Sequence, residues 1–175
     1  MRVSGAICSV VAAGALACQQ RPAADASPAV ASCASFGVGS SDAPWQSVRT
    51  SSFTFCVPPH WRRDGLDLWS AGANEIRWSI GEPLLPYVTP VTGASPQQLA
   101  NAFGTFQASC PGATTFREQI GTHRVDVGKG VCSGLVYTIA SWHGASLTFA
   151  GKASSLASAD TELMVYRTVR LASDR

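Results

Sequence analysis

The chain has 175 residues, and its 13 basic and 11 acidic side chains leave a formal net charge of +2. A surface that tracks phosphates needs several basic groups on one face, whereas the densest basic cluster here is the pair Arg62-Arg63. The composition therefore argues against a nucleic-acid partner, and the length allows one domain with a tail.

The N-terminus has the layout of a secretory signal. Arg2 precedes an apolar stretch from Val3 to Ala17, which is shorter than the ~20 residues that a transmembrane helix needs. The stretch ends in Leu16-Ala17-Cys18, and a cysteine directly after small residues resembles a bacterial lipobox. This resemblance implies a signal peptide over residues 1–17 and a lipid on Cys18. Gln19 then favours transfer to the outer membrane, where one exists. The alternative is plain secretion, because residues 15–17 also read as an A-x-A cleavage site.

The segment after Cys18 has the composition of a tether. Residues 19–32 contain almost no large apolar side chain and carry two prolines, so they cannot bury enough surface to offset the entropy of ordering. We expect residues 18–32 to form the lipidated N-terminus and a flexible tether with a reach of about 20 Å. Residues 33–175 are expected to form a single domain.

Four cysteines follow Cys18, and an even number in an exported chain indicates two disulfides. Three pairings are open, with free buried thiols as the alternative. Cys110 closes a predicted helix and Cys132 lies in a strand that can return beside it, which favours Cys110–Cys132. Cys33–Cys56 is then the second bridge, joining the start of the domain to its first strong strand.

The first strands follow from alternation. Phe53, Phe55 and Val57 alternate with smaller residues, which predicts a strand that stops at Pro58-Pro59. Residues 75–80 alternate in the same way and predict a second strand. Residues 68–70 are expected to pair with it across a turn at 72–74.

The clearest predicted helix follows a long loop over residues 82–94. Ser95 is placed to cap the helix, with Pro96 at the first helical position and Gln98 completing a capping box. The apolar face then repeats at helical spacing, and Cys110-Pro111-Gly112 ends the helix. The residues of that face are Leu99, Ala102, Phe103 and Phe106.

The second half of the chain predicts a meander of strands and a last helix. The strands are expected at 114–120, 123–127, 131–140 and 146–152, with turns at Gly121, at 128–130 and at 143–144. The third strand is apolar on both faces and is therefore expected to be central. A helix over 160–167, with acidic residues at its positive end, and a short strand over 169–171 complete the chain. The fold class is α+β, a mainly antiparallel sheet with two helices packed on it.

This order of elements resembles the Mog1/PsbP-like fold, which occurs in several bacterial lipoproteins. The residues that carry the resemblance are Phe53-Thr54-Phe55-Cys56-Val57-Pro58-Pro59-His60-Trp61 and Glu162-Leu163-Met164-Val165-Tyr166-Arg167-Thr168-Val169-Arg170-Leu171. It covers about residues 50–171 and implies an α/β/α sandwich. It also implies a role in binding proteins or stabilising assemblies, and no shared catalytic site. The two predicted disulfides depart from the family pattern.

The sequence contains one spacing typical of a nucleophile. Residues 130–134 have the G-x-C-x-G pattern of a nucleophile elbow, with Cys132 in place of serine. The elbow needs a sharp turn from strand to helix, but residues 135–140 continue as a strand. Cys132 is therefore interpreted as a structural disulfide cysteine.

Other titratable residues are dispersed along the chain. His60, His123 and His143 have no close-spaced partner, so the sequence predicts no metal site and no cofactor. Glu118 alternates with Phe116 and Ile120 and is a candidate for an inward-facing carboxylate with a raised pKa, whereas the more common alternative is a solvated residue at a sheet edge. The remaining candidate carboxylates are Glu75, Glu82, Asp126, Asp160 and Glu162.

Five tryptophans are many for a domain of this size. Trp61 and Trp78 fit the core, whereas Trp45, Trp69 and Trp142 lie near predicted loops and form a candidate exposed binding face. The sequence thus indicates a membrane-anchored envelope lipoprotein that acts as a non-catalytic binding or assembly-support module for an unknown envelope protein. The alternatives are a small-ligand carrier and an envelope hydrolase or metal-dependent enzyme whose site forms from separated residues.

Overall fold

Two antiparallel sheets dominate the structure, a computed structural model that describes residues 32–80 and 102–174. The strands are β1 Gln46–Arg49, β2 Phe53–Val57, β3 Arg62–Arg63, β4 Leu68–Ala71, β5 Asn74–Ile80, β6 Thr114–Ile120, β7 His123–Cys132, β8 Leu135–Trp142, β9 Leu147–Ala153 and β10 Arg170–Leu171. The larger sheet has seven strands in the order β3-β4-β5-β9-β8-β7-β6, and the smaller has the order β1-β2-β10. The helices are α1 Ala102–Ser109 and α2 Leu156–Arg167, with short 3-10 helices at Cys33–Phe36 and Ala172–Asp174. The predicted fold class, α+β with a mainly antiparallel sheet, is confirmed for the described residues.

The two helices cover opposite faces of the large sheet. Phe106 of α1 packs over Gly128 of β7, whereas Glu162 of α2 contacts Thr138 of β8. Gly128 lies opposite Ile139 in the ladder, and neighbouring residues of a strand point to opposite faces. Thr138 and Ile139 therefore face different helices, and the sheet lies between α1 and α2.

The small sheet packs on the same side as α2 and forms the main core with it. Phe53 and Phe55 of β2 are almost fully buried and each contacts Phe149 of β9, with ring centroids 5.5 Å apart and tilted edge to face. Trp78 of β5 packs 5.3 Å from Phe55. Such aromatic pairs add about 0.5–1.5 kcal/mol each beyond the burial of their area. This side of the sheet is thus closed by β2 and α2 together.

Both predicted disulfides are confirmed. Cys33 is bonded to Cys56, which ties the first 3-10 helix to β2, and Cys110 is bonded to Cys132, which ties the end of α1 to β7. All four cysteines are buried. The bridges therefore fix one element on each side of the large sheet.

The hairpin between β7 and β8 turns later than the sequence predicts. The turn was expected at residues 128–130, but β7 runs through them to Cys132, and Ser133 and Gly134 form the turn. Both turn residues have positive φ, 51° and 81°, which matches the right-handed twist of a two-residue hairpin. Gly128 and Gly130 instead leave space for the side chains that pack over them, since a Cβ on Gly130 would lie 2.6 Å from the Cβ of Ala113. The predicted strands over 123–127 and 131–140 were accordingly wrong at this boundary.

Helix α2 begins four residues before its predicted start at Asp160. Ser155 is the N-cap, and its side chain accepts a hydrogen bond from the backbone N–H of Ser158 at 3.1 Å. Asp160 and Glu162 therefore lie inside the helix, and the expectation that they sit at its positive end was wrong. This shift places Glu162 on the buried face.

Most of the other strand predictions are confirmed. The hairpin of β4 and β5 forms with Ala71 opposite Asn74, and β8 lies between β7 and β9 as a central strand. The signal peptide, Cys18, the tether, the loop over 82–94, Glu82 and the helix cap at Ser95 lie outside the described residues. In the part that the structure describes, no helix is long and apolar enough to cross a membrane.

Candidate functional site

An open groove of about 410 Å³ lies beside the outer side of α2. One wall comes from the loop before β1, which carries Trp45, and another from Pro58, Pro59 and His60 after β2. Helix α2 supplies the third wall, and its Met164 is 39% exposed. Most of the lining is apolar. The groove is thus a shallow surface suited to apolar contact.

Local sequence chemistry explains the shape of this groove. Gly39 has a positive φ of 79°, and a Cβ there would lie 2.8 Å from Cδ1 of Trp45, so glycine lets the loop pass close to the indole. Pro58 and Pro59 lack N–H groups and therefore end the ladder of β2. The side chain of Gln46 donates a 2.6 Å hydrogen bond to the carbonyl of Pro59. Both loops are held in place by these contacts.

The predicted exposed tryptophan face is wrong for two of its three members. Trp69 is 9% exposed and packs edge to face on Phe55, and Trp142 is 3% exposed and packs against Phe149. Both sit on strands whose alternation turns the indole toward the core. Only Trp45 among the three borders the groove, where it is half-buried.

Directly under the groove wall, α2 buries a carboxylate. Thr161 lines the groove, and the next residue, Glu162, is 0% exposed. Thr138 Oγ1 lies 2.5 Å from Glu162 Oε2 and donates to it, and the Tyr166 hydroxyl lies 2.7 Å from the same Thr138 oxygen. Among the described residues, Oε1 of Glu162 has no hydrogen-bond partner. Gly151 of β9 lies against this cluster, where a Cβ would collide with Glu162 and Thr138 and come within 2.7 Å of the Tyr166 hydroxyl.

The environment favours the neutral form of Glu162. Burial raises its pKa from 4.5 to about 8, the hydrogen bond from Thr138 opposes this rise, and the negative charge of Glu75 adds to it. An uncharged carboxyl avoids most of the cost of burying a charge. At neutral pH the side chain is therefore mostly protonated.

The sequence contains a signal for Glu162 that the predicted helix over 160–167 missed. Once Ser155 is taken as the cap, the buried residues Ala159, Glu162, Leu163 and Tyr166 form one helical stripe. A carboxylate on that stripe is an anomaly, and buried polar groups with shifted pKa values are frequent at functional positions.

Glu118 matches the alternative of a partly solvated residue at a sheet edge, since β6 is an edge strand of the large sheet. Its side chain is 25% exposed and lies 3.2 Å from Nε of Arg167 on α2. It is a partly solvated member of an ion pair. The anomalous carboxylate of the structure is Glu162, not Glu118.

Two of the three histidines pair with aspartates outside the groove. His143 Nε2 lies 2.6 Å from Oδ2 of Asp126, and Arg117 Nε lies 2.6 Å from the other oxygen. Burial acts to raise the pKa of Asp126, but the hydrogen bonds from Arg117 and His143 outweigh it and hold the pKa below its usual value. The His143 side chain is 49% exposed, and the neighbouring Ser141 hydroxyl bonds Thr148 instead.

The second pair lies at the turn between β6 and β7. His123 Nε2 is 3.0 Å from Oδ1 of Asp174, without the alignment of a hydrogen bond. Burial acts to raise the pKa of Asp174, but hydrogen bonds from Thr122 and from the N–H of Leu171, together with His123, lower it. These contacts fasten the end of the chain to the sheet. His60 is the one histidine of the three that lines the groove.

Neither a metal site nor an activated nucleophile emerges from the described residues. Within that part of the chain, no group of three or more His, Cys, Asp and Glu side chains could hold a metal ion. The sulfur of Cys132 is bonded to Cys110, and the turn after Cys132 leads into strand β8 instead of the helix that a nucleophile elbow needs. No protein-family model matches the chain, and no curated protein is significantly similar to it.

Proposed function

We propose that this chain is a lipid-anchored module of a bacterial envelope that binds or supports a protein partner through the groove beside α2, rather than an enzyme. The observation that carries the proposal is the groove itself. Its lining is mostly apolar, Trp45 and Met164 lie on different walls, and its loops are positioned by contacts of Gly39 and Gln46. A preformed apolar surface of this kind suits binding without chemistry.

Two further features agree with this proposal. The disulfides suit an exported protein in an oxidising compartment. The short apolar run before Cys18 suits a lipid anchor, and several acyl chains on one cysteine would hold the domain firmly at a membrane. The Mog1/PsbP-like resemblance implies the same class of role.

The alternative, an envelope hydrolase, has one observation in its favour. Asp126 and His143 form the oriented carboxylate–imidazole pair that a general base uses. His143, however, lies just past the end of β8 and is half-exposed, and Asp126 is also bound to Arg117. A hydrolase would further need a nucleophile or water site beside His143, and the Ser141 hydroxyl is engaged with Thr148.

Site-specific photocrosslinking tests the proposal. A photoreactive amino acid at Met164 in the groove is compared with one at Leu66, which is 84% exposed and does not line the groove. In intact cells we expect a discrete crosslinked species from position 164 and none from position 66. Equal crosslinking from both positions, or none from either, would contradict the groove as the binding face.

A further inference from the structure

None of the strands that α2 packs on places a positively charged side chain beside the buried carboxylate of Glu162. Helix α2 packs on β2, β8 and β9. Strand β2 carries no charged residue. Tyr137 is the titratable side chain of β8, and it packs in the hydrophobic cluster on the α1 side of the sheet. Strand β9 carries Lys152, which follows Gly151 and lies opposite Tyr137 in the ladder, so it points to the α1 side as well.

The other charged residues of α2 are paired with charges outside the helix, and among the described residues the distant charge that acts on Glu162 is negative. Lys129 of β7 lies opposite Thr138 in the ladder and so faces α2, but it is paired with Asp160, and Arg167 is paired with Glu118. Glu75 of β5 acts on Glu162 with the same sign of charge. An ionised Glu162 would be a buried negative charge that has no positively charged partner among the described residues and is repelled by Glu75. Burying a charge in this way is among the costliest arrangements in a protein.

The same helix joins this carboxylate to the groove. Thr161 and Met164 form the α2 wall of the groove, and Glu162 lies between them on the opposite side of the helix. A rotation or lifting of α2 that brought Glu162 to water would therefore move both wall residues. Groove shape and the protonation of Glu162 are coupled through one rigid element.

We propose that Glu162 acts as a proton-dependent switch, in which the protonated side chain holds α2 on the sheet and loss of its proton accompanies undocking of α2 and loss of the groove wall. The switch goes beyond the proposed binding role, because it is a property of this chain in the absence of any partner. Its consequence for a partner rests on that role: a partner that needs the docked wall would bind more tightly as the pH falls.

The direction follows from linkage between protonation and conformation. The pKa of Glu162 is about 8 when α2 is docked and 4.5 when the side chain is in water. Between these values the docked state holds a proton that the undocked state releases, so undocking becomes easier as pH rises from about 5 to about 8 and levels off above. The equilibrium constant for undocking is expected to increase by about tenfold per pH unit across this window.

Hydrogen exchange of the full mature chain measures this constant. Amide exchange rates in α2, corrected for the intrinsic effect of pH, are compared between pH 5.5 and 8 in wild type, Glu162→Gln and Asp160→Asn. We expect the protection of α2 amides in wild type and Asp160→Asn to fall by about tenfold per pH unit, and protection in Glu162→Gln to stay constant. Amides of β6 and β7 should keep their protection in all three proteins.

Three results would overturn the switch. The first is a wild-type α2 whose protection does not change with pH. The second is a fall that Glu162→Gln shares. The third is a fall in β6 and β7 that equals the fall in α2, because this would be global unfolding. Should Glu162→Gln not fold, carboxyl ¹³C NMR on wild type decides: titration of Glu162 near its ordinary value would refute the switch. If the photocrosslinking fails, the proposed partner is refuted, but the expected pH dependence of α2 protection stays the same.

Discussion

Gly128, which lies under helix α1, should tolerate replacement poorly. It lies within β7 and faces the helix, where a Cβ would come within 2.5 Å of Cε1 of Phe106 and 3.1 Å of Cγ2 of Ile139. Phe106 and Ile139 are both 0% exposed, so neither side chain can swing into solvent. Gly128→Ala therefore forces a shift of the helix or of the ring.

The expected cost can be estimated from packing and chain entropy. Overpacking a buried site costs about 1–3 kcal/mol, and alanine returns about 0.4–1 kcal/mol by restricting the unfolded chain. The free energy of unfolding should thus fall by about 1–2 kcal/mol. For a domain of this size the midpoint of thermal unfolding should fall by about 5 °C.

Chemical denaturation with a matched control checks this reasoning. Gly112→Ala introduces the same methyl group where nothing lies within 4 Å and where φ is not positive, so its stability should match or slightly exceed wild type. Phe106→Leu should cost less in the Gly128→Ala background than in wild type, because the smaller side chain relieves the collision. If Gly128→Ala is as stable as wild type, or if the two losses simply add, the close contact does not limit packing.

Three further predictions concern the anchor, a disulfide and pH. Cys18→Ala should abolish incorporation of a labelled fatty acid and release the protein from the membrane fraction, and equal labelling of both proteins would refute lipidation. Replacing Cys110 and Cys132 together by alanine opens a loop with a sequence separation of 22, which should lower the free energy of unfolding by about 3 kcal/mol in denaturant titrations. Asp126 has a lowered pKa in the folded protein. Its contribution to the free energy of unfolding is therefore present above the ordinary aspartate pKa of 3.8 and is lost as the pH falls below it. Stability at pH 3 relative to pH 7 should therefore fall less in Asp126→Asn than in wild type, and an equal fall would contradict the pairing.

Much of the fold could be predicted because it depends on short-range patterns. Phe53, Phe55 and Val57 alternate and stop at two prolines, and that pattern alone predicts β2 with its buried face. The disulfide Cys110–Cys132 followed from a helix end and a returning strand, both of which are local signals. The strand after Ser133 could be seen as central because both its faces are apolar. In each case neighbouring residues carry the information, since the strand period and the turn chemistry act over a few residues.

The remaining features depend on which elements meet, and only the tertiary structure decided them. Gly128 looks like a turn residue in the sequence, yet its role is to admit Phe106, a side chain that comes from a helix on another layer. Trp142 looks exposed beside a turn, yet the pleat directs it onto Phe149. Glu162 looks like an ordinary acidic residue near a helix start. The helix, however, begins earlier, and its register places Glu162 on the buried face against Thr138 and Gly151. Packing partners lie far away along the chain, so the chain order specifies the elements, while the contacts across the sheet determine which carboxylate is buried and where the groove forms.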